Sequence, residues 1–116
     1  MNIKIRGRFS AAHYIEGHQK CGQLHGHNFT VWLTVSVKDT GKQIELDFDD
    51  LKGILDGVLA NYDHENIGNK SSEDLIRDIE DILADKLKRF SQAEKFKVGV
   101  YETPDLGVEG DWVGVR

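Results

Sequence analysis

The chain has 116 residues, a hydrophobic fraction of 39% and a formal net charge of −5. That length suits one domain, residues 1–116, and the acidic balance argues against binding nucleic acid by neutralising its phosphates. One cysteine cannot close an internal disulfide, and no apolar run reaches the roughly 18 residues of a membrane span. The opening Met1-Asn2-Ile3-Lys4-Ile5-Arg6 lacks an apolar signal region, so a cytoplasmic location is expected.

Ile3, Ile5, Gly7, Phe9, Ala11 and His13 share one parity, and Asn2, Lys4, Arg6, Arg8 and Ser10 share the other. This alternation predicts a first strand over residues 2–13 with its apolar face ending at His13. A loop from Tyr14 to Leu24 follows and carries Glu16, His18, Lys20 and Cys21. In the next strand, Phe29, Val31, Leu33, Val35 and Val37 form the apolar row, and His25 and His27 precede them in the same parity. If the two strands pair antiparallel, the end of the first lies beside the start of the second. His13, His25 and His27 then meet at one end of the sheet on one face. Three converging imidazoles suit a divalent metal, zinc among copper, iron and nickel.

Lys38 to Lys42 reads as a turn, and Ile44, Leu46 and Phe48 predict a third strand in a hairpin with the second. Asp47 or Asp49 caps a first helix whose stripe is Leu51, Ile54, Leu55, Val58, Leu59 and Tyr62. Asp63-His64-Glu65-Asn66 stands at its end, and residues 67–70 read as a loop. Ser71 or Ser72 caps a second helix, with Asp74 completing a capping box and Leu75, Ile76, Ile79, Ile82, Leu83 and Leu87 facing inward. A last clear strand holds Phe96, Val98 and Val100, with Glu102 where the next apolar residue belongs. The tail 106–116 reads as a short strand or an arm on another subunit. The order β-β-β-α-α-β predicts an α+β domain: a four-stranded antiparallel sheet with two helices on one face and strand edges free for assembly.

Each candidate residue has a plain reading beside a chemical one. Cys21 is a fourth metal ligand closing a structural site, a small buried residue, or a free thiol of lowered pKa beside an open metal position. Asp63-His64 is a helix C-terminus favoured by the dipole, or a relay in which the carboxylate orients the imidazole. Glu102 is an edge carboxylate, or an acceptor of paired N–H donors from a flat heterocycle.

Phe9-Ser10-Ala11-Ala12-His13, Cys21-x-x-x-His25-Gly26-His27-Asn28-Phe29, Asp63-His64-Glu65-Asn66 and Tyr101-Glu102-Thr103 together resemble the 6-pyruvoyl-tetrahydropterin synthase superfamily. Glu16-Gly17-His18 followed by Lys20-Cys21-Gly22 is similar to its 6-carboxy-tetrahydropterin synthase branch, which makes a queuosine precursor. The resemblance implies a tunnelling fold, with subunits joining sheets edge to edge into a barrel and trimers stacking as a hexamer. It implies zinc on His13, His25 and His27, Cys21 as general base, Asp63 with His64 as a second proton-transferring pair, and Glu102 as anchor of the pterin. Ser72 stands where the family often has a threonine near the pterin. The implied reaction converts 7,8-dihydroneopterin triphosphate to 6-carboxytetrahydropterin, acetaldehyde and triphosphate. A pyruvoyl-forming synthase or a related side-chain lyase is the alternative within enzymes, and a zinc-stabilised binding module with a Cys/His site is the alternative outside them.

Overall fold

The computed structural model describes residues 1–116. Its elements are β1 (Asn2–Tyr14), β2 (His25–Val37), α1 (Phe48–Leu59), β3 (Glu65–Asn69), α2 (Ser72–Lys86), β4 (Ala93–Thr103), β5 (Leu106–Glu109) and β6 (Val113–Gly114), with a 3-10 turn at Leu87–Arg89. No helix is long and apolar enough to cross a membrane.

The sheet is built on the two long strands. β1 and β2 pair antiparallel from Asn2↔Ser36 to His13↔His25, and β2 pairs antiparallel with β4. The odd-numbered row of β1 and β2, with Phe96, Val98 and Val100 of β4, forms the apolar face. Both helices cover it: Leu51, Leu55, Val58 and Leu59 of α1, and Leu75, Ile76, Ile79 and Leu83 of α2, are buried in one core. α1 lies so close to β1 that a Cβ at Gly7 would stand 2.7 Å from Cδ1 of Leu59, so this position in the apolar row admits only glycine without movement. Ser71 caps α2 in a full capping box: its hydroxyl accepts from the N–H of Asp74, whose carboxylate accepts from the N–H of Ser71.

The sheet differs from the expected four antiparallel strands. It has six strands in the order β3-β1-β2-β4-β5, with β6 also beside β4, and β3 runs parallel to β1, so the sheet is mixed. The expected hairpin partner at residues 43–48 does not form. Glu45 is buried, and its carboxylate accepts hydrogen bonds from the N–H and hydroxyl of Thr40 and the N–H of Lys42, which fold this segment into a compact loop. Asp47 then caps α1 through the N–H of Asp49, placing Phe48 in a helix rather than a strand. Ile44 and Phe48 consequently remain 65% and 66% exposed. The third strand is instead Glu65–Asn69, in a stretch whose sequence reads as helix end and loop. Its pairing with β1 shifts register between Ala12 and His13, where Gly68 takes φ 76°. The tail supplies two short strands, β5 and β6, against β4.

Candidate functional site

Strand register brings the three histidines together. His13 and His25 are directly paired across β1 and β2, and His27 is paired with Ala11. Ring centroids lie 4.5 Å apart for His13–His25, 4.8 Å for His25–His27 and 5.3 Å for His13–His27. One ring nitrogen from each can be chosen so that all three lie within 4.8 Å of one another. The cluster closes the end of the core, where the ring of Phe29 lies against His13 and His27.

Two backbone carbonyls orient the rings. His13 Nδ1 lies 2.6 Å from the carbonyl oxygen of Lys70, and His25 Nδ1 lies 2.7 Å from that of Gln23. A carbonyl only accepts, so each Nδ1 carries the proton and each Nε2 keeps its lone pair. His13 is fully buried and its Nε2 has no hydrogen-bond partner. A buried polar atom left orphaned is costly unless something binds it. Burial lowers the pKa of His27, as do the neighbouring His13 and His25, against the opposing pull of Glu102. The donor set of oriented imidazoles therefore fits a divalent metal ion.

Glu102, at the end of β4, reaches the same place. Its carboxylate oxygens lie 3.8 Å from Nε2 of His13 and 3.6 Å from Nε2 of His27. The buried Ser72, in the first turn of α2, donates its hydroxyl to Glu102 at 3.4 Å. Two positions far apart in sequence thus meet beside the histidines.

Cys21 is not in the three-histidine group. It is half-buried in the β1–β2 loop, where its N–H donates to Nδ1 of His18 (2.8 Å) and its carbonyl accepts from the N–H of Ile15 (2.7 Å). Gly22 follows because a Cβ there would meet the carbonyl oxygen of His18 at 2.4 Å.

Asp63 and His64 sit on the outer edge of β1, where β3 begins. Asp63 Oδ1 accepts from the N–H of Ser10 (2.9 Å), and the His64 N–H donates to the Ser10 carbonyl (2.6 Å). This clamp holds His64 at φ 59°, a left-handed conformation rare outside glycine. His64 Nδ1 lies 2.9 Å from Asp63 Oδ2, and its ring is 84% exposed. The Ser10 N–H, aided by His64, pulls the Asp63 carboxyl below its ordinary pKa against partial burial. His64 and His27 both line one shallow hollow of about 450 Å³, together with Ser10 and Asn28, whose side chains bond at 2.6 Å.

Sequence reasoning misses the contributions made by backbone. Any residue could supply the carbonyls of Lys70 and Gln23 or the peptide group of Ser10, so side-chain identity holds no signal for them. The one available clue is the capping signal at Ser71, which fixes the corner that carries the Lys70 carbonyl.

The profile of the 6-pyruvoyl tetrahydropterin synthase family matches residues 2–111. A protein of Archaeoglobus fulgidus with a provisional 6-carboxy-5,6,7,8-tetrahydropterin synthase name is 44% identical over 90 residues, 74% of this chain and 78% of that one. A dihydroneopterin monophosphate aldolase of Pyrococcus furiosus is 28% identical over 112 residues, 95% of this chain and 96% of that one. In structure, 6-pyruvoyl tetrahydropterin synthase of Plasmodium falciparum aligns with a TM-score of 0.80 at 17% identity, over 97% of this chain and 98% of that one, which shows a shared fold. Profile, sequence and fold agree: the chain belongs to the 6-pyruvoyl tetrahydropterin synthase family.

Proposed function

We propose that this protein is a zinc-dependent 6-carboxy-5,6,7,8-tetrahydropterin synthase, a lyase of the queuosine and 7-deazaguanine route in the cytoplasm. It would convert 7,8-dihydroneopterin triphosphate and water to 6-carboxytetrahydropterin, acetaldehyde and triphosphate. The observation that carries this reading is the meeting of His13, His25 and His27 with Glu102 and Ser72 at one sheet end. The 44% identity to the A. fulgidus protein supports the carboxy branch.

The three imidazoles would hold the zinc, which when bound supplies Lewis-acid polarisation of the substrate's side-chain hydroxyls. Glu102 would accept two parallel N–H bonds from the pterin's 2-amino and ring N–H groups, held in place by the Ser72 hydroxyl. Cys21, outside the histidine group, would take a proton as thiolate. His64, with Nδ1–H tied to the Asp63 carboxylate, keeps Nε2 free to give or take the second proton. The hollow shared by His27 and His64 is open to water in one chain. Edge strands β3, β5 and β6 are short and backbone-held, and pairing through them would assemble a homo-oligomer, a hexamer built as a dimer of trimers, that covers the hollow.

The near end-to-end match to the aldolase favours one second reading, cleavage of a dihydroneopterin phosphate to a hydroxymethylpterin and a phosphorylated two-carbon aldehyde. Mass spectrometry of products formed by the zinc-loaded protein separates the two. Acetaldehyde with 6-carboxytetrahydropterin is expected; the phosphorylated aldehyde means the aldolase, and a 6-pyruvoyl product means triphosphate elimination. Cys21→Ala is expected to keep its metal and lose turnover. Loss of both metal and fold would instead point to a zinc-stabilised binding module.

A further inference from the structure

The face of the sheet turned away from the helices carries a second, separate arrangement. Register sets Lys4, Arg6 and Arg8 of β1 directly opposite Thr34, Trp32 and Thr30 of β2. The same three residues of β2 stand opposite Lys97, Gly99 and Tyr101 of β4. Both helices pack on the other face. The side chains enclose a hollow of about 430 Å³. Tyr101 lies down over β5, since a Cβ at Gly107 would stand 2.2 Å from its ring. Trp32 stands at the centre of the grid, and Gly99 beside it on β4 has no side chain.

The charge on this face runs against the rest of the molecule. The chain has a net charge of −5. Here the one carboxylate lining the hollow is Glu109, and Lys97 Nζ holds it at 2.8 Å. Lys4, Arg6 and Arg8 form no ion pair, although they stand in a row on one strand. Like charges at alternate strand positions are about 7 Å apart and repel unless an anion lies between them. Lys4 Nζ and the Arg6 guanidinium lie 4.9 Å and 5.5 Å from the centroid of the Trp32 ring. That contact keeps both heads over the hollow rather than splayed into water. A guanidinium presents a planar fork suited to phosphoryl oxygens, and a row of cations suits linked phosphoryl groups better than a single one.

We propose that this face is a binding site for a small polyphosphate anion such as inorganic triphosphate. The inference does not rest on the reading of the histidine end. Isothermal titration of the intact protein with sodium tripolyphosphate, in magnesium-free buffer, tests it. Saturable one-site binding is expected, weakening as salt is added. The double variant R6Q/R8Q is expected to bind at least tenfold more weakly. K86Q/K88Q removes the same charge from the end of α2 and the 3-10 turn after it, and is expected to match the unaltered protein within twofold. Metal content measured before and after titration is expected to be unchanged. Adenosine triphosphate binding as tightly as tripolyphosphate would extend the site to polyphosphate esters, whereas much weaker binding would confine it to the free anion; both support it. Non-saturable uptake, equal loss in both double variants, unchanged binding in R6Q/R8Q, or metal stripped by the anion would each overturn the proposal. Circular dichroism checks that R6Q/R8Q is folded, and K4Q gives an independent reading at the end of the same row.

Discussion

The two ends of the β1–β2 pair obey different rules. At one end, His13, His25 and His27 occupy positions dictated by the same parity and register that bury Phe9, Phe29 and Val31. A slip of one residue would turn the whole apolar row into water, so the core itself enforces where the histidines point. At the other end, residues 43–48 show the same alternation, yet they form no strand. There Leu46 alone reaches the core, and the hydrogen bonds of the Glu45 carboxylate decide the path. Periodicity is a strong guide where a buried face enforces it and a poor one where a single satisfied buried carboxylate competes.

The largest expected effect falls at the register-built end. His27→Ala removes one of three imidazoles and is expected to weaken zinc binding by more than the roughly 100-fold that loss of an outer partner costs, read by competition with a chromogenic chelator. The fold should persist, because the apolar row is intact. Retained affinity would mean that register alone does not build the site.

Glu45→Gln comes next, at the loop-built end. Burial opposes ionisation of Glu45, yet the Thr40 hydroxyl and the N–H groups of Lys42 and Thr40 outweigh it and lower its pKa. A carboxyl depressed on folding stabilises above its unfolded pKa and loses that contribution as pH falls through the lowered folded value. The variant is expected to melt a few degrees lower at neutral pH. Its deficit should shrink in acid, where the parent loses the same contribution. A deficit independent of pH would show that packing, not the ionised carboxylate, holds the loop.

Ser71→Ala tests whether the two modes meet. The capping box fixes the corner whose Lys70 carbonyl orients His13, and Lys70 Nζ also pairs with Asp78 of α2. Loss of the cap is expected to cost about 1 kcal/mol in urea unfolding. The N–H and hydroxyl of Ser71 lower the Asp74 pKa, so the cap's electrostatic part is present above the ordinary carboxylate range and is lost as pH falls through the depressed value. A small accompanying drop in metal affinity would tie the corner to the histidines.

Legibility follows the same division. The apolar rows of β1, β2 and β4, the two helical stripes and the capping box could be read because packing imposes period and cap chemistry imposes residue type. The meeting of three histidines was legible from parity and strand direction, and Glu102 stood out as a carboxylate in an apolar parity. β3 was not legible: Glu65-Asn66-Ile67-Gly68-Asn69 has no alternation, and backbone pairing to β1, with Ile67 against the core and Asn69 bonded to Glu16, holds it as an edge strand. Nor was the Ser10 clamp on Asp63-His64, which uses peptide groups that any residue carries. The mixed sheet follows from β3, which runs parallel to β1; the strands that alternation reveals are antiparallel among themselves.

X-ray absorption at the zinc edge of the metal-loaded protein tests the central claim most directly. Three imidazole nitrogens and a light oxygen or nitrogen donor, all near 2.0–2.1 Å, are predicted, with no sulfur shell. A sulfur scatterer near 2.3 Å would place Cys21 on the ion and contradict the account of an open site with a free thiol beside it.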